Sequence, residues 1–248
     1  MLGIIGGTGL TELSNLEVTH KQVVRTPYGE PSGALVFGRI AGRDVVFLPR
    51  HGHAHTIPPH TVNYRANVWA LDSLGVTGVV SVASVGGIRA DLGPGVLAIP
   101  DQILDYTSGR KSTIHEGDGR AVVHIDFTRP YCDRLRGKLL DAAAAAGRTV
   151  VEGGVYAATQ GPRLETAAEI DRLERDGADM VGMTGMPEAA LAREMGLCYA
   201  TIAVVANHAA GRGDSREGIR MEDINATLRT ALTQVRVIIE KMVEKHGS

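Results

Sequence analysis

Short apolar runs that end in glycine or in a polar residue alternate along this chain with segments of helical spacing. The longest run, Val76–Val85, is rich in valine and is followed by Gly86-Gly87. Such a run is typical of a strand that is covered on both faces, as in parallel sheets. The alternation predicts an α/β fold: a single domain over residues 1–248, with a mixed, largely parallel central sheet flanked by helices.

Shorter segments follow the same pattern. Further strands are predicted at Leu2–Ile5, Ala34–Ile40, Asp44–Leu48, Val96–Ile99, Val150–Tyr156, Asp179–Met183 and Leu197–Val205. Helical spacing is found over Val62–Leu74, Glu165–Arg175, the stretch between Pro187 and Gly196, and Ile224 to Met242. Ala41-Gly42-Arg43 predicts a hairpin between the second and third of these strands.

Charge and composition exclude several classes of function. The chain has 26 Lys+Arg against 28 Asp+Glu, so it offers no clustered positive field for nucleic acid. Aromatic residues make up only 4%, too few for a protein that stacks single-stranded bases. Two cysteines, Cys132 and Cys198, do not make a disulfide framework, and no apolar run approaches the ~20 residues that span a bilayer. We therefore expect a soluble cytoplasmic protein with no membrane partner.

The turn Gly6-Gly7-Thr8-Gly9 directly follows the first predicted strand. Backbone N–H groups in such a turn can bind an anion, and Thr8 adds a hydroxyl donor. The turn is not a dinucleotide fingerprint, because Glu12 stands at the third glycine position. A plain tight turn and an anion site both remain open.

The segment Arg50–His55 holds three histidines at alternate positions. In an extended chain, His51, His53 and His55 would share one face, as a metal site requires. No carboxylate or cysteine lies nearby to complete or orient such ligands. The planar guanidinium of Arg50 is suited to phosphate instead. A metal site, an anion site and a polar loop are all compatible with the pattern.

Polar side chains stand at the ends of three further predicted strands. They are Ser84, Thr184 and Asn207. Ligands of open α/β folds bind at the carboxyl ends of strands, so Thr8, Ser84 and Thr184 together with Arg50 favour a phosphate pocket, whereas Asn207 is either a cap or a residue that recognises a ligand. Each residue alone is equally compatible with ordinary turn or cap chemistry.

Taken together, these segments resemble the trimeric purine nucleoside phosphorylase and methylthioadenosine phosphorylase family. The matching pieces, in family order, are Gly6–Leu10, Pro49–Gly52, His55–Pro58, Val62–Asn67, Gly161–Arg163, Met183-Thr184 and Pro187-Glu188. The likeness to the methylthioadenosine branch is strongest over residues 49–71. The resemblance implies the nucleoside phosphorylase fold and phosphorolysis, in which a nucleoside and phosphate give a free purine and a ribose 1-phosphate.

The resemblance also implies roles for individual residues. Phosphate would be held by Thr8, Arg50, His51 and Thr184, with backbone N–H groups near Ser84, whose hydroxyl can replace one missing at Ala83. Met183 would lie along the ribose, and Leu164 replaces a stacking phenylalanine. Catalytic roles fall to Asn207, Glu165 and His51. No metal or organic cofactor is implied, inorganic phosphate being a co-substrate.

Two residues depart from the methylthioadenosine branch. Asn207 stands where that branch has aspartate, and Glu165 where it has serine; a second aspartate is replaced by Ala209. The Asn207 amide can donate to a 6-oxo group and accept from a protonated N7. An ionised Glu165 accepts from N1–H of a 6-oxopurine but would face the acceptor N1 of adenine. Both positions favour hypoxanthine-type bases.

Three residues are candidates for the part of the sugar site that contacts the 5′ group. His124 matches a histidine that reaches the site from a neighbouring subunit, which implies a homotrimer, with pairing of trimers left open. Met221 and Ile224 are apolar candidates for contact with a 5′-methylthio group, or else ordinary core. We therefore expect phosphorolysis of S-methyl-5′-thioinosine to hypoxanthine and 5-methylthioribose 1-phosphate. The alternatives are phosphorolysis of methylthioadenosine or of 6-oxopurine nucleosides broadly, and a non-catalytic nucleoside-binding module.

Overall fold

A mixed sheet of eleven strands, with five α-helices around it, is formed by residues 1–10, 12–116, 119 and 121–245, which the computed structural model describes. The strands are β1 Leu2–Gly6, β2 Glu17–Gln22, β3 Leu35–Ile40, β4 Arg43–Pro49, β5 Gly78–Gly87, β6 Leu97–Ile99, β7 Gln102–Asp105, β8 Val151–Glu152, β9 Val155–Ala158, β10 Met180–Gly182 and β11 Tyr199–His208. The helices are α1 Tyr64–Ser73, α2 Asp133–Ala145, α3 Ala167–Arg175, α4 Gly185–Glu194 and α5 Met221–Lys245.

Parallel pairing dominates the middle of the sheet. β1 pairs in parallel with β4 and β5, and β11 pairs in parallel with β5. The hairpin β3–β4 and the pairing of β10 with β5 are antiparallel. The predicted mixed, largely parallel α/β fold is confirmed. Because β4, β1, β5 and β11 are adjacent and parallel, their carboxyl ends meet at one edge of the sheet.

Helices cover both faces of the central strands, as the valine-rich sequence of β5 predicts. One core layer joins α2 and α5 to the sheet through residues such as Leu139, Leu232 and Ile239. The other joins α1 and α4 through residues such as Leu71 and Leu191. Burial of each such side chain contributes about 1.5–3 kcal/mol of transfer free energy. The two core layers therefore stabilise the strands whose ends carry the loops.

Three local features differ from the sequence prediction. The predicted strand Val150–Tyr156 is interrupted by Gly153-Gly154, both of which have positive φ, and becomes β8 and β9. Strands β2 and β7 were not predicted, because their residues are largely exposed and show no apolar run. Strands β2 and β7 form where tertiary pairing outweighs local pattern, whereas the break at Gly153-Gly154 has a local cause in the glycine backbone.

Cys132 and Cys198 form a disulfide that joins the start of α2 to the segment before β11. The sequence analysis did not predict this bond, because a separation of 66 residues gives no local signal of proximity. No helix in the described residues has both the length and the apolar character needed to cross a membrane.

Candidate active site

A cavity of ≈ 250 Å³ opens at the sheet edge where the parallel strands end. It is lined by eleven of the residues that the sequence analysis singled out: Thr8, Arg50, His51, Ser84, Leu164, Glu165, Met183, Thr184, Asn207, Met221 and Ile224. The fold therefore brings together segments that are separated by up to about two hundred positions in the chain. Thr8 follows β1, Arg50 follows β4, and Ser84 lies in β5.

Two glycines allow the site loops to approach their neighbours closely. A Cβ on Gly7 would lie 2.5 Å from the Val82 carbonyl oxygen and 3.0 Å from Nη1 of Arg50. Gly161 has φ +59°, and a Cβ there would lie 2.4 Å from the sulfur of Met183. Larger residues at these two positions would push the loops apart.

Arg50 is held by a bidentate ion pair with Glu188 in the interior of the protein. Nε donates to Oε2 at 2.7 Å, Nη2 donates to Oε1 at 2.8 Å, and the two side chains are 1% and 0% exposed. Nη1 donates to the Val82 carbonyl at 3.1 Å. The edge of the guanidinium that carries Nε and Nη2 binds Glu188, because a buried cation needs a paired anion, so the contact of Arg50 with phosphate stays a prediction that falls to Nη1. Nη1 is the nitrogen on the side of Gly7.

Both members of this pair are charged. Burial alone would lower the pKa of Arg50, but the Glu188 carboxylate outweighs it and raises that pKa above the usual value. Burial would likewise raise the pKa of Glu188, but Arg50 holds it below its usual value. Ser81 and Tyr199 also donate to Oε1 of Glu188, at 2.9 and 2.8 Å. Glu188 was missed as a site residue because its partner lies 138 positions away.

His51 is a neutral imidazole with a defined tautomer. Desolvation, together with the neighbouring Arg50 charge, lowers its pKa to about 4. Nδ1 lies 2.8 Å from the Ile57 carbonyl oxygen, which only accepts, so Nδ1 carries the proton. Nε2 is therefore left as a hydrogen-bond acceptor.

The other two histidines of this loop point to different partners. His51–His55 is an edge contact with ring centroids 4.9 Å apart, whereas Nε2 of His53 lies 3.1 Å from the Ala34 carbonyl oxygen. Residues 50–55 form turns and His55 has φ +54°, so the extended conformation that would place the three histidines on one face is not adopted. Within the described ranges, no three His, Cys, Asp or Glu side chains are placed to bind a metal.

Met183 and Thr184 lie between β10 and α4, and the backbone leaves helical geometry at Met186, which has φ −119° and ψ 141°. The regular part of α4 therefore begins after Met186, and Thr184 does not cap it. Arg110, which the sequence analysis did not single out, donates from Nη1 to the carbonyls of Met183 and Met186, at 2.7 and 2.6 Å. Its Nη2 donates to the carbonyls of Thr159 and Gln160, at 3.1 and 2.9 Å. One guanidinium thus joins the segment 159–160 to the segment 183–186, and each of these segments leads into residues that line the cavity.

Leu164 and Glu165 stand on the loop before α3. Leu164 is 39% exposed, so it forms an aliphatic wall at the mouth of the cavity. Oε1 of Glu165 accepts a hydrogen bond of 2.6 Å from the hydroxyl of Thr159. Thr159 carried no motif in the sequence and was also missed.

Asn207 is positioned by an irregularity in the pairing of β11 with β5. Val205 pairs with Val85 but Asn207 pairs with Gly86, so Ala206 is an extra residue. Such bulges re-aim side chains beside functional sites. Nδ2 of Asn207 donates to the His208 carbonyl at 2.6 Å, which fixes which end of the amide is oxygen. The amide keeps one further N–H and its oxygen for other partners.

The three candidates for the 5′ side separate into two groups. Met221 and Ile224, at the start of α5, both line the cavity, and Ile224 also belongs to the core. His124 is exposed and does not line the cavity of its own chain. Its role in a neighbouring subunit stays a prediction.

Comparison with known families shows to which family the chain belongs. Residues 1–244 match the model of the phosphorylase superfamily. The chain belongs to that superfamily. The prediction that the chain is a pentosyltransferase of the nucleoside phosphorylase type is confirmed by this match and by its relatives.

Two curated relatives illustrate the range of similarity. A probable S-methyl-5′-thioinosine phosphorylase of Pseudomonas syringae pv. tomato is 52% identical over 240 residues, which is 97% of this chain and 97% of the relative. A probable 6-oxopurine nucleoside phosphorylase of Thermococcus kodakarensis is 41% identical over 248 residues, covering 98% and 91% of the two chains.

A solved structure gives the same fold. Methylthioadenosine phosphorylase from Schistosoma mansoni in complex with adenine superposes with a TM-score of 0.94 at 34% identity. The superposition covers 99% of this chain and 91% of the other.

Proposed function

We propose that this enzyme catalyses phosphorolysis of S-methyl-5′-thioinosine to hypoxanthine and 5-methylthioribose 1-phosphate. The observation that carries the proposal is that Asn207 and Glu165 line the same cavity as Arg50, His51 and Thr184. The name of the Pseudomonas syringae relative, with 52% identity over nearly the whole chain, supports it.

The phosphate end combines three kinds of donor. The turn at Thr8 supplies backbone N–H groups and a hydroxyl, Arg50 supplies Nη1, and Thr184 adds a second hydroxyl. Since Glu188 neutralises the charge of Arg50, the protein presents phosphate with an arrangement of oriented dipoles more than with a free cation. Dipoles that are fixed before the reaction need no reorganisation during it.

His51 accepts a hydrogen bond at Nε2 instead of donating one. It therefore suits a protonated phosphate oxygen or a sugar hydroxyl as its partner. Its low pKa keeps it neutral at physiological pH, so its role does not depend on gaining a proton.

The reaction breaks the bond between C1′ of the sugar and N9 of the base, and forms a bond between C1′ and a phosphate oxygen. Positive charge grows on the ribose while the electron pair of the broken bond moves onto the purine. Bound phosphate stabilises the positive charge on the ribose. A proton at N7 neutralises the negative charge on the purine, and it is balanced by the proton that monohydrogen phosphate loses when its oxygen bonds to C1′. The Asn207 amide accepts from that N7–H and donates to the 6-oxo group, while Glu165 accepts from N1–H. Interactions that strengthen as charge develops raise the rate.

The sugar pocket is formed by apolar side chains. Met221 and Ile224 supply an apolar surface for a 5′-methylthio group, and Met183 lies along the ribose. We further propose that the enzyme is a homotrimer in which His124 of one subunit completes the 5′ pocket of the next. The proposal involves no metal or organic cofactor, and a cytoplasmic location stays a prediction.

The proposal is tested by four substrates assayed with phosphate: methylthioinosine, inosine, methylthioadenosine and adenosine. We expect phosphate-dependent release of hypoxanthine, with the highest kcat/KM for methylthioinosine. A preference for methylthioadenosine would contradict the roles of Asn207 and Glu165, and a preference for inosine would contradict the 5′ assignment. Binding without release of free base would indicate a nucleoside-binding module instead.

A further inference from the structure

Glu165 borders more than one cavity. It lines the active-site cavity and also a second cavity of ≈ 260 Å³. The second cavity is lined by Tyr106, Thr159, Gln160, Gly161, Arg163, Glu165, Glu169, Arg172 and Leu173. A carboxylate with space on both sides can turn either way, so its orientation must be set by a contact.

Thr159 makes that contact. Its hydroxyl donates to Oε1 of Glu165 at 2.6 Å, the shorter of its two acceptor distances, the other being 3.3 Å to the Gly182 carbonyl. Arg163, two residues before Glu165, gives its guanidinium to both oxygens of Glu169 at 2.8 and 2.6 Å. The neighbouring cation is therefore engaged elsewhere, and Thr159 holds the carboxylate.

The backbone of Thr159 is fixed on both sides. Its N–H donates to the Gly182 carbonyl at 2.8 Å, at the end of the β9–β10 pairing. Its own carbonyl accepts from Nη2 of Arg110 at 3.1 Å. Thr159 lines the second cavity but not the active-site cavity, so it acts on the base site from behind Glu165.

We propose that Thr159 is a specificity-determining positioning residue. By engaging Oε1 of Glu165, it turns Oε2 toward the base, where Oε2 accepts a ring N–H. Purines with a protonated N1 satisfy that oxygen, whereas purines whose N1 is an acceptor leave two acceptors facing each other. This inference rests on the proposed function, because it assumes that Glu165 contacts the base.

The test compares Thr159→Val, which removes the hydroxyl at similar volume, with Thr159→Ser, which keeps it. We expect Thr159→Val to lower kcat/KM for methylthioinosine about tenfold, with an unchanged KM for phosphate, and Thr159→Ser to stay within about threefold of wild type. Activity on methylthioadenosine should not fall. Thr233→Val, on the exposed surface of α5, is the matched control and should behave as wild type. If Thr159→Val lowers the melting temperature, Thr159→Ala replaces it as the variant without a hydroxyl and is compared with Thr159→Ser in the same way.

A double-mutant cycle distinguishes an effect of Thr159 that acts through Glu165 from a general structural effect. In the Glu165→Ala background, Thr159→Val should cause no further loss, because the residue acts through Glu165. An equal loss in both backgrounds, or no loss in wild type, overturns the inference. The proposed function fails separately, if the wild-type enzyme releases no base from methylthioinosine.

Discussion

The two ends of the active-site cavity are built differently. At the phosphate end, Arg50 is almost fully buried, and its partner Glu188 is bound by Arg50, Ser81 and Tyr199. At the base end, Leu164 is exposed, and Glu165 is held by one hydrogen bond from Thr159. A buried, multiply bonded network tolerates little change, whereas a wall with few contacts can be altered at low cost. Under the proposed function, phosphate binding therefore depends on the rigid end, and the choice of base depends on a few replaceable side chains at the other.

Removing Glu188 is expected to have the largest effect. Glu188→Ala leaves the buried Arg50 without its anion, and breaking such a pair costs about 3–5 kcal/mol. For a chain of this size this corresponds to a fall in melting temperature on the order of 10 °C, together with a higher KM for phosphate. Glu244→Ala breaks a surface pair with Lys241 and is the control, with an expected cost below about 1 kcal/mol. Equal melting temperatures for the two variants would show that the phosphate end is not anchored by this pair.

The pH dependence of stability tests the state of His51. Its pKa is about 4 in the folded protein but near 6.5 when unfolded, so the unfolded chain takes up a proton first as pH falls. Stability due to this group is therefore lost between pH 6.5 and about 4, on the order of 2 kcal/mol by pH 5. Denaturant unfolding at pH 7 and pH 5 should show a smaller fall for His51→Gln than for wild type. An identical fall for both would mean that His51 is not buried as a neutral ring.

Arg110 links the two ends and should affect both. Arg110→Lys keeps the charge but loses the planar fork that bonds carbonyls on both loops. We expect KM values for phosphate and for nucleoside to rise together, about tenfold, which initial-rate kinetics will measure. Arg129→Lys, at an exposed site, is the matched control. A rise in only one KM would show that the loops are positioned independently.

The smallest effect is expected at Leu164. Leu164→Phe adds a ring at the mouth of the base pocket, where an aromatic contact contributes about 0.5–1.5 kcal/mol. The KM for nucleoside should fall by about two- to tenfold, with the KM for phosphate unchanged. A change in the KM for phosphate would contradict the separation of the two ends.

The sequence predicted the residues that line the phosphate end better than the residues that hold cavity-lining side chains in place. Glycine turns and polar residues at strand ends are local signals, so Thr8, Arg50 and Thr184 were all found as members of one pocket. Glu188 and Thr159 were missed as site residues because their contacts to Arg50 and Glu165 depend on tertiary packing.

Two other differences have local causes. The spacing of the histidines around His53 is compatible with one shared face only in an extended chain, and turns at residues 50–55 separate them. The strand predicted at Val150–Tyr156 is broken by Gly153-Gly154, whose positive φ values no apolar pattern reports. Backbone conformation at glycine and hydrogen bonds between distant segments are the information that the pattern lacks.

The separation of a fixed phosphate end from an adjustable base end is tested most directly by Asn207→Asp. The measurement is the ratio of kcat/KM for methylthioinosine to that for methylthioadenosine, taken with the KM for phosphate. Asn225→Asp, on the exposed face of α5, is the control for the added charge. We predict that Asn207→Asp lowers the ratio at least tenfold and leaves the phosphate KM unchanged. An unchanged ratio, or a shift in the phosphate KM as large as that in the ratio, would contradict the account.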